Sequence, residues 1–210
     1  SMKLLSYRNL GEPGGPFYDP EYSNPNDNPF VKALAAENEI LSPTPNDIGD
    51  FDYRPAVPAD RFRSPYANEN AARAANNGAA PPDLSVITKA RHGGASYIYS
   101  LLSGYPDEST FVTHEDEGGE VQTYIDVSKL HGAHAEEGEH HETGLLLQPV
   151  GQYYNPYMSG DTTPQYGGDP RHAPKGGFLA MPPQLIEGRV TYTDGTEATV
   201  EQMAHDVAQF

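Results

Sequence analysis

The chain has 210 residues, of which 30 are acidic, 13 are basic and none is cysteine or tryptophan. This length predicts one domain, or one domain with long insertions. The 21 glycines and 20 prolines predict extensive turns and loops. A formal net charge of −17 excludes nucleic acid as an expected partner, because phosphate binding requires a basic surface. The lack of cysteine excludes thiolate metal sites and thioether-linked cofactors formed by these residues alone, and no apolar run reaches the ~18 residues of a membrane span.

The beginning of the chain mixes short apolar pieces with residues typical of turns. Residues 1–10 predict one or two helical turns. Asn28 followed by Pro29 predicts an N-cap with proline at the first helical position, and apolar residues follow at helical spacing. Residues 41–65 are predicted to form a loop punctuated by prolines.

The next stretch is predicted to be the most ordered part of the chain. Asn68 can cap a short alanine-rich helix over residues 71–76. A helical pattern covers residues 83–92, is interrupted by a pair of glycines, and resumes over residues 97–102.

Residues 106–152 differ in composition from the rest of the chain. They hold 11 acidic residues and one basic residue, and thus −10 of the net charge, together with five of the eight histidines. This composition predicts a solvated surface insertion with a short ordered piece at residues 121–127. The acidity of the whole chain favours a cationic partner; the alternative is that it serves solubility.

The same segment contains a candidate metal site. Glu139, His140, His141 and Glu142, with His131 and His134 nearby, could bind a metal such as zinc, since imidazoles and carboxylates suit it. Their spacing matches no tetrahedral pattern, so the alternative is an acidic, histidine-rich surface loop.

The last part of the chain predicts a small β hairpin and a helix. Residues 189–192 alternate like a strand, and Asp194 with Gly195 forms a turn signal. Thr199 and Gln202 predict a capping box. The expected helix then carries one apolar stripe, made of Val200, Met203, Ala204, Val207 and Phe210.

Three side chains are candidates for binding a cofactor. Met181 lies in an apolar loop stiffened by two prolines, and a thioether is a soft ligand that raises the reduction potential of haem iron. Its alternative role is to fill a gap in the core. Arg91 and Tyr97 flank the glycine pair and suit a pair of carboxylates such as haem propionates; the alternative is an ordinary surface arginine and a half-buried tyrosine.

Several longer segments, spread over almost the whole chain, carry a resemblance to one family. They are MK at 2–3, YRNLGEPGG at 7–15, AARAANNGAAPPDLS at 71–85, KARHGG at 89–94, YIYSLLSGY at 97–105, YYNPY at 153–157, AMPP at 180–183 and YTDGT at 192–196. Together they resemble cytochrome c1, the c-type haem subunit of the cytochrome bc1 complex, and the opening segment resembles its alphaproteobacterial members.

The resemblance implies a fold, a cofactor and a set of site residues. The implied fold is mainly α with extensive loops, a class I cytochrome c-like haem domain over residues 1–210 with a small β hairpin and surface insertions. The implied cofactor is haem c. Met181 matches the axial methionine of the iron, Arg91 and Tyr97 match residues that contact the propionates, and the loop lining the haem crevice is matched by Asn76, Pro81 and Pro82.

The function implied by the resemblance is electron transfer. Members of the family pass electrons from the Rieske iron–sulfur protein to a soluble cytochrome c, beside cytochrome b in a dimeric complex. The implied location is the periplasmic side of a bacterial inner membrane, or the intermembrane-space side of the mitochondrial inner membrane. Such a subunit is an electron carrier and not a stand-alone catalyst. The alternatives are a non-redox acidic module that binds a basic protein, and a histidine-rich metal-binding protein.

The sequence departs from the family pattern in three places. The family's Cys-x-x-Cys-His motif, which supplies the covalent haem links and the proximal histidine, would end just before Ser1, and none of the eight histidines matches that ligand. A C-terminal membrane anchor is expected beyond Phe210. Residues 106–152 and 161–176 are expected to be insertions. The chain is therefore expected to be either a piece of a longer cytochrome c1 or a part completed by a separate haem-binding polypeptide, and to hold no haem covalently by itself.

Overall fold

The computed structural model describes residues 2–115, 118–130 and 144–210. The contacts divide the chain into two compact units. The first consists of Ser1–Ile87 with Phe210, and the second consists of Thr88–Gln209.

The first unit is built from short helices and one hairpin. A 3-10 helix at Tyr7–Gly11 precedes α1 (Pro29–Ala36) and α2 (Glu69–Ala75). Strands β1 (Glu39–Leu41) and β2 (Tyr53–Pro55) pair antiparallel, with Ile40 opposite Arg54. The core is made of the buried residues Tyr7, Leu10, Val31, Ala35 and Ala56, against which Phe17, Leu34, Ile40 and Phe62 pack.

Both predicted N-caps of this unit are confirmed. Asn28 is fully buried, and its side-chain oxygen accepts hydrogen bonds from Phe30 N and Val31 N at 2.9 and 3.3 Å. Pro29 occupies the first helical position, where its missing N–H costs nothing. Asn68 accepts from Ala71 N at 2.9 Å and begins α2.

The prediction of a plain loop over residues 41–65 is wrong. The chain reverses at Asn46, whose side-chain oxygen accepts from Ile48 N and Asp50 N, and it returns as β2. Each strand of this hairpin is three residues long, which is too short for an alternating pattern to stand out among the prolines.

The second unit contains two packed helices and two small sheets. Helix α3 (Ile87–Ala90) crosses the boundary of the two units, and α4 (Gly94–Ser103) packs against α5 (Val200–Gln209). Strands β3 (Phe111–Glu115), β4 (Val121–Asp126) and β5 (Leu145–Leu147) form an antiparallel sheet in that order. Strand β6 (Tyr153–Asn155) pairs antiparallel with β7 (Gly177–Leu179).

The core of the second unit lies on these sheets. Ile125, Leu146 and Tyr154 are buried. The ordered piece predicted at residues 121–127 is confirmed by β4. Because Ile125 and Leu146 are fully buried, the described part of residues 106–152 contains a packed sheet as well as solvated surface.

The helix predicted over residues 83–92 is shorter than expected. It forms only at Ile87–Ala90. Asp83 and Ser85 instead use their side chains to accept hydrogen bonds from Lys3 N and Leu4 N at 2.9 and 3.0 Å. Ser85 N also donates to Asp83 Oδ1 at 3.0 Å, so a local turn and two tertiary contacts compete with helical hydrogen bonding before α3.

The predicted hairpin near the end of the chain is only partly present. Gly195 has φ +83 and donates to Tyr192 O, so the turn is confirmed. Residues 189–192 form no strand, and the prediction of a strand there is wrong. The strands of the described residues form instead the three sheets given above. The structure therefore has more β structure than the single small hairpin that was expected. The predicted extensive loops are present.

The final helix is confirmed, with differences in detail. Gln202 N donates to Thr199 Oγ1 at 3.1 Å, as a cap requires, but the Gln202 amide donates to Asp206 at 3.0 Å and does not return to the cap. Met203 and Ala204 are buried as expected, whereas Val207 is 50% exposed. The inclusion of Phe210 in the stripe is wrong, because Phe210 lies beyond the end of α5 and is 55% exposed.

Two further predictions concern metals and membranes. The histidine-rich candidate at residues 131–142 lies outside the described residues, and those that the structure describes contain no group of three or more histidine, aspartate or glutamate side chains placed to hold a metal ion. No helix in the described ranges is long and apolar enough to cross a membrane.

Candidate functional site

The first turn of α4 carries Tyr97 and begins at the predicted glycine break. Gly93 is the N-cap of α4 and has φ +87, a conformation that favours glycine. A Cβ added there would lie 3.4 Å from Tyr97 Cβ. Gly93 O accepts hydrogen bonds from Ser96 N and Tyr97 N at 3.1 and 3.4 Å. The glycine therefore sets the start of α4 and with it the position of Tyr97.

Arg91 lies just before this turn with an exposed side chain. Its backbone carbonyl accepts from Gly94 N at 3.1 Å, so the turn also holds the Arg91 backbone. The guanidinium donates to Ala90 O at 3.2 Å, and within the described residues it forms no ion pair. Its remaining donors are available for an external anion.

Met181 is held by the strand that precedes it and by a long-range hydrogen bond. It follows β7 by two residues, is partly buried, and is followed by the exposed Pro182 and Pro183. The phenol of Tyr105 donates to Met181 O at 2.7 Å. Burial raises the pKa of Tyr105 to about 12, so the phenol remains a donor at neutral pH.

The β6–β7 pair that leads to Met181 is tied to α4. Asn155 is fully buried, and its amide donates to Leu101 O of α4 at 2.8 Å. Tyr154 packs edge-on against Phe178 with ring centroids 5.9 Å apart, and its phenol donates to Lys175 O at 2.5 Å. Helix α4 therefore carries Tyr97 and also holds the strands from which Met181 emerges.

The other predicted site residues lie in the first unit. Asn76 ends α2, and its amide donates to Ala72 O at 2.7 Å and to Tyr66 Oη at 3.2 Å. Pro81 and Pro82 are exposed. The structure thus places Arg91, Tyr97 and Met181 in the second unit, and Asn76, Pro81 and Pro82 in the first.

Sequence reasoning missed two residues that hold the site together. Tyr105 and Asn155 both lie within the segments that carried the family resemblance, but neither had an assigned role. A tyrosine just beyond a helix, or an asparagine at the end of a strand, gives no local sign of a partner far along the chain. Only the folded contacts identify the carbonyls that they bind.

The residues of each unit fit a haem. In the second unit, α4 carries Ile98, Leu101 and Leu102, and none of its residues is fully buried. In the first unit, α2 has no buried residue, and Leu84 and Val86 are 46% and 47% exposed. Such apolar surface suits a flat apolar macrocycle. The Met181 thioether is of the soft kind that haem iron accepts and the Arg91 guanidinium suits a carboxylate, so the chemistry of both side chains is compatible with a loop-rich, haem-binding class of protein.

Comparison with known proteins places the chain within this class. The model of the Cytochrome C1 family matches residues 1–210. The chain belongs to the cytochrome c1 family, and the family predicted from the sequence segments is confirmed.

Curated relatives agree with this assignment. The chain is 38% identical over 209 residues to cytochrome c1 of Rhodospirillum rubrum, covering all of the chain and 60% of the relative. It is 38% identical over 210 residues to a mitochondrial cytochrome c1 haem protein of Arabidopsis thaliana, covering all of the chain and 48% of the relative. It is 40% identical over 180 residues to the cytochrome b-c1 complex catalytic subunit of Candida albicans, covering 86% of the chain and 45% of the relative. The chain therefore spans about half the length of these relatives.

Proposed function

We propose that this chain is the haem-bearing part of an electron-transfer subunit in a cytochrome bc1 complex. The observation that carries the proposal is the family match over all 210 residues. The names of the relatives, which include a haem protein and a subunit of the b-c1 complex, support it. The proposed electron donor is the Rieske iron–sulfur protein and the proposed acceptor is a soluble cytochrome c, in a dimeric complex with cytochrome b.

The proposed location follows from the same relatives. Bacterial and mitochondrial members of the family match the chain equally well. We propose the periplasmic side of a bacterial inner membrane, or the equivalent intermembrane-space side in mitochondria. The proposed fold is that of a class I cytochrome c, a single haem domain in which residues 106–152 and 161–176 are insertions.

We propose that the haem is haem c and that its iron, when bound, supplies a one-electron redox centre. Met181 is proposed as an axial ligand, presented by a loop that β7 and two prolines hold in place. Arg91 and Tyr97 are proposed to donate to the propionates, because the turn at Gly93 places both side chains beside the start of α4.

Asn76, Pro81 and Pro82 are proposed to line the haem crevice. The amide of Asn76 is held by two hydrogen bonds, and each proline has a fixed backbone φ. Their proposed role is to keep this wall rigid. An electron carrier of this kind needs no general acid, base or nucleophile from these residues, so the chain is not proposed to be a stand-alone catalyst.

The experiment that tests this proposal is a redox titration of the natural full-length protein loaded with haem. Since a methionine ligand raises the reduction potential, Met181→Ala is expected to lower the midpoint potential by ~tens of millivolts or more. Met158→Ala is a matched control, because Met158 is another partly buried methionine of the same unit. A midpoint potential that stays at the wild-type value in Met181→Ala would contradict the assignment.

A further inference from the structure

Tyr105 makes a contact that none of the proposed ligand roles explains. Its phenol donates to the backbone oxygen of Met181 at 2.7 Å, across a separation of 76 residues in sequence. The side chain is partly buried, and a phenol hydroxyl can donate a hydrogen bond to a backbone carbonyl.

The position of Tyr105 is set by the end of α4. The helix ends at Ser103, whose hydroxyl donates to Tyr99 O at 2.9 Å. Gly104 follows as the C-cap and lies so near the ring of Tyr157 that an added Cβ would be 2.5 Å from Tyr157 Cδ2. Tyr105 therefore follows directly on a closely packed point of the chain.

The Met181 peptide, in contrast, lies beyond the regular structure that precedes it. The last ladder pair of β7 joins Leu179 to Tyr153. Ala180 is exposed, and Pro182 has no N–H with which to extend the ladder. The carbonyl of Met181 accepts its hydrogen bond from Tyr105, so this bond connects the ligand loop directly to the end of α4.

We propose that Tyr105 is a positioning residue for Met181, an inference that rests on the proposed function above. By holding the carbonyl, the phenol limits the freedom of the Met181 backbone, so that less conformational entropy is lost when the thioether binds iron. Removal of the phenol oxygen leaves the loop freer, and an external ligand then displaces the thioether more easily.

The test is a titration of the ferric, haem-loaded, full-length protein with imidazole, which competes with the thioether for iron. Loss of one hydrogen bond of ordinary strength predicts that Tyr105→Phe raises the imidazole affinity about three- to tenfold. The absorption band that marks methionine coordination to ferric haem is recorded in the same samples and is expected to disappear at lower imidazole concentration.

Tyr154→Phe is the matched control. Its phenol also donates to a backbone oxygen, that of Lys175, and burial likewise raises the pKa of Tyr154 to about 12. The bond lies before β7 and not after it, so this variant is expected to lose stability and to change the imidazole affinity much less than Tyr105→Phe does. A third variant, with 4-aminophenylalanine at position 105, retains a donor on the same ring and is expected to return the affinity to the wild-type value.

The outcomes separate this inference from the proposed function. If Met181→Ala leaves the imidazole affinity at the wild-type value, the ligand assignment itself fails. If Met181→Ala raises the affinity and Tyr105→Phe does not, the ligand assignment holds and the positioning role of Tyr105 is overturned. One further outcome is that Tyr105→Phe does not load with haem. In that case, normal haem loading of the Tyr154→Phe and 4-aminophenylalanine variants supports the inference. An equal loss of haem loading in all three variants overturns it.

Discussion

The carboxylate of Asp60 shows how one residue can join separate parts of the first unit. The Arg54 guanidinium donates to both of its oxygens, at 2.8 and 3.0 Å, and Val57 N donates to it at 2.7 Å. The hydrogen bonds from Arg54 are the largest cause that lowers the pKa of Asp60, and they outweigh the opposing effect of its partial burial. The backbone oxygen of Asp60 also accepts from Tyr7 N at 3.1 Å, which brings the 3-10 helix into the same arrangement.

This arrangement predicts a pH dependence of stability. Because the folded pKa of Asp60 lies below its ordinary value, the unfolded state binds more protons at acid pH and stability rises with pH. The contribution is complete above the unfolded pKa of about 3.9 and is lost as the pH falls through the folded pKa. Urea unfolding between neutral and acid pH is expected to show a smaller loss of stability in Asp60→Asn than in the wild type. Arg54→Gln should also reduce the loss of stability over the same pH range. If the stability of both variants falls with pH as steeply as that of the wild type, the pair of Arg54 and Asp60 does not cause the pH dependence.

At the scale of secondary-structure elements, the helix starts are the best-specified features of the chain. Asn28 and Asn68 both cap helices through their side-chain oxygens. They differ in environment, because Asn28 is fully buried and also donates to Phe17 O at 2.7 Å, whereas Asn68 is exposed. The same residue type therefore contributes differently to stability at the two positions.

The two caps provide a matched pair of substitutions. Asn28→Ala removes the cap of α1 and leaves the partly buried Phe17 O without its donor, so a loss of about 2–3 kcal/mol in the free energy of unfolding is expected. Asn68→Ala removes only an exposed cap, for which about 0.5–1 kcal/mol is expected. Chemical denaturation of both variants measures the difference. Equal losses would show that the hydrogen bond to Phe17 O contributes nothing.

Strands were much harder to predict than helix starts, for a physical reason. A cap depends on residues within one turn, so Asn28 and Asn68 could be recognised as caps from the sequence, whereas the sequence predicts Gly93 only as a break in a helical pattern. Strand β7 is three residues long and finds its partner β6 across a long loop. Its identity depends on a pairing that no short window of sequence contains. The missed β1–β2 hairpin has the same cause.

At the scale of the whole molecule, the net charge of −17 bears on the proposed partner. Under the proposed function, a basic soluble cytochrome c is steered towards the acidic chain. The association rate constant is then expected to fall by about tenfold or more from low to physiological salt. Stopped-flow kinetics with the haem-loaded protein measures this. An acidic cytochrome c is the control and should associate faster as salt increases. If the association rate constant with the basic partner does not change with salt, the charge does not steer the partner, and solubility is the role that fits it.

The sequence by itself determined the family, the capped helices, the acidic charge and the candidate ligand Met181. Each of these depends on residue identity or on neighbours within a few positions. Only the tertiary structure showed the three small sheets, the bond from Asn155 to α4, and the contact of Tyr105 with Met181 O across 76 residues. Such contacts form only once the chain has folded and the entropy of closing long loops has been overcome. The sequence could therefore indicate Met181 as a ligand, but not the residue that holds it in place.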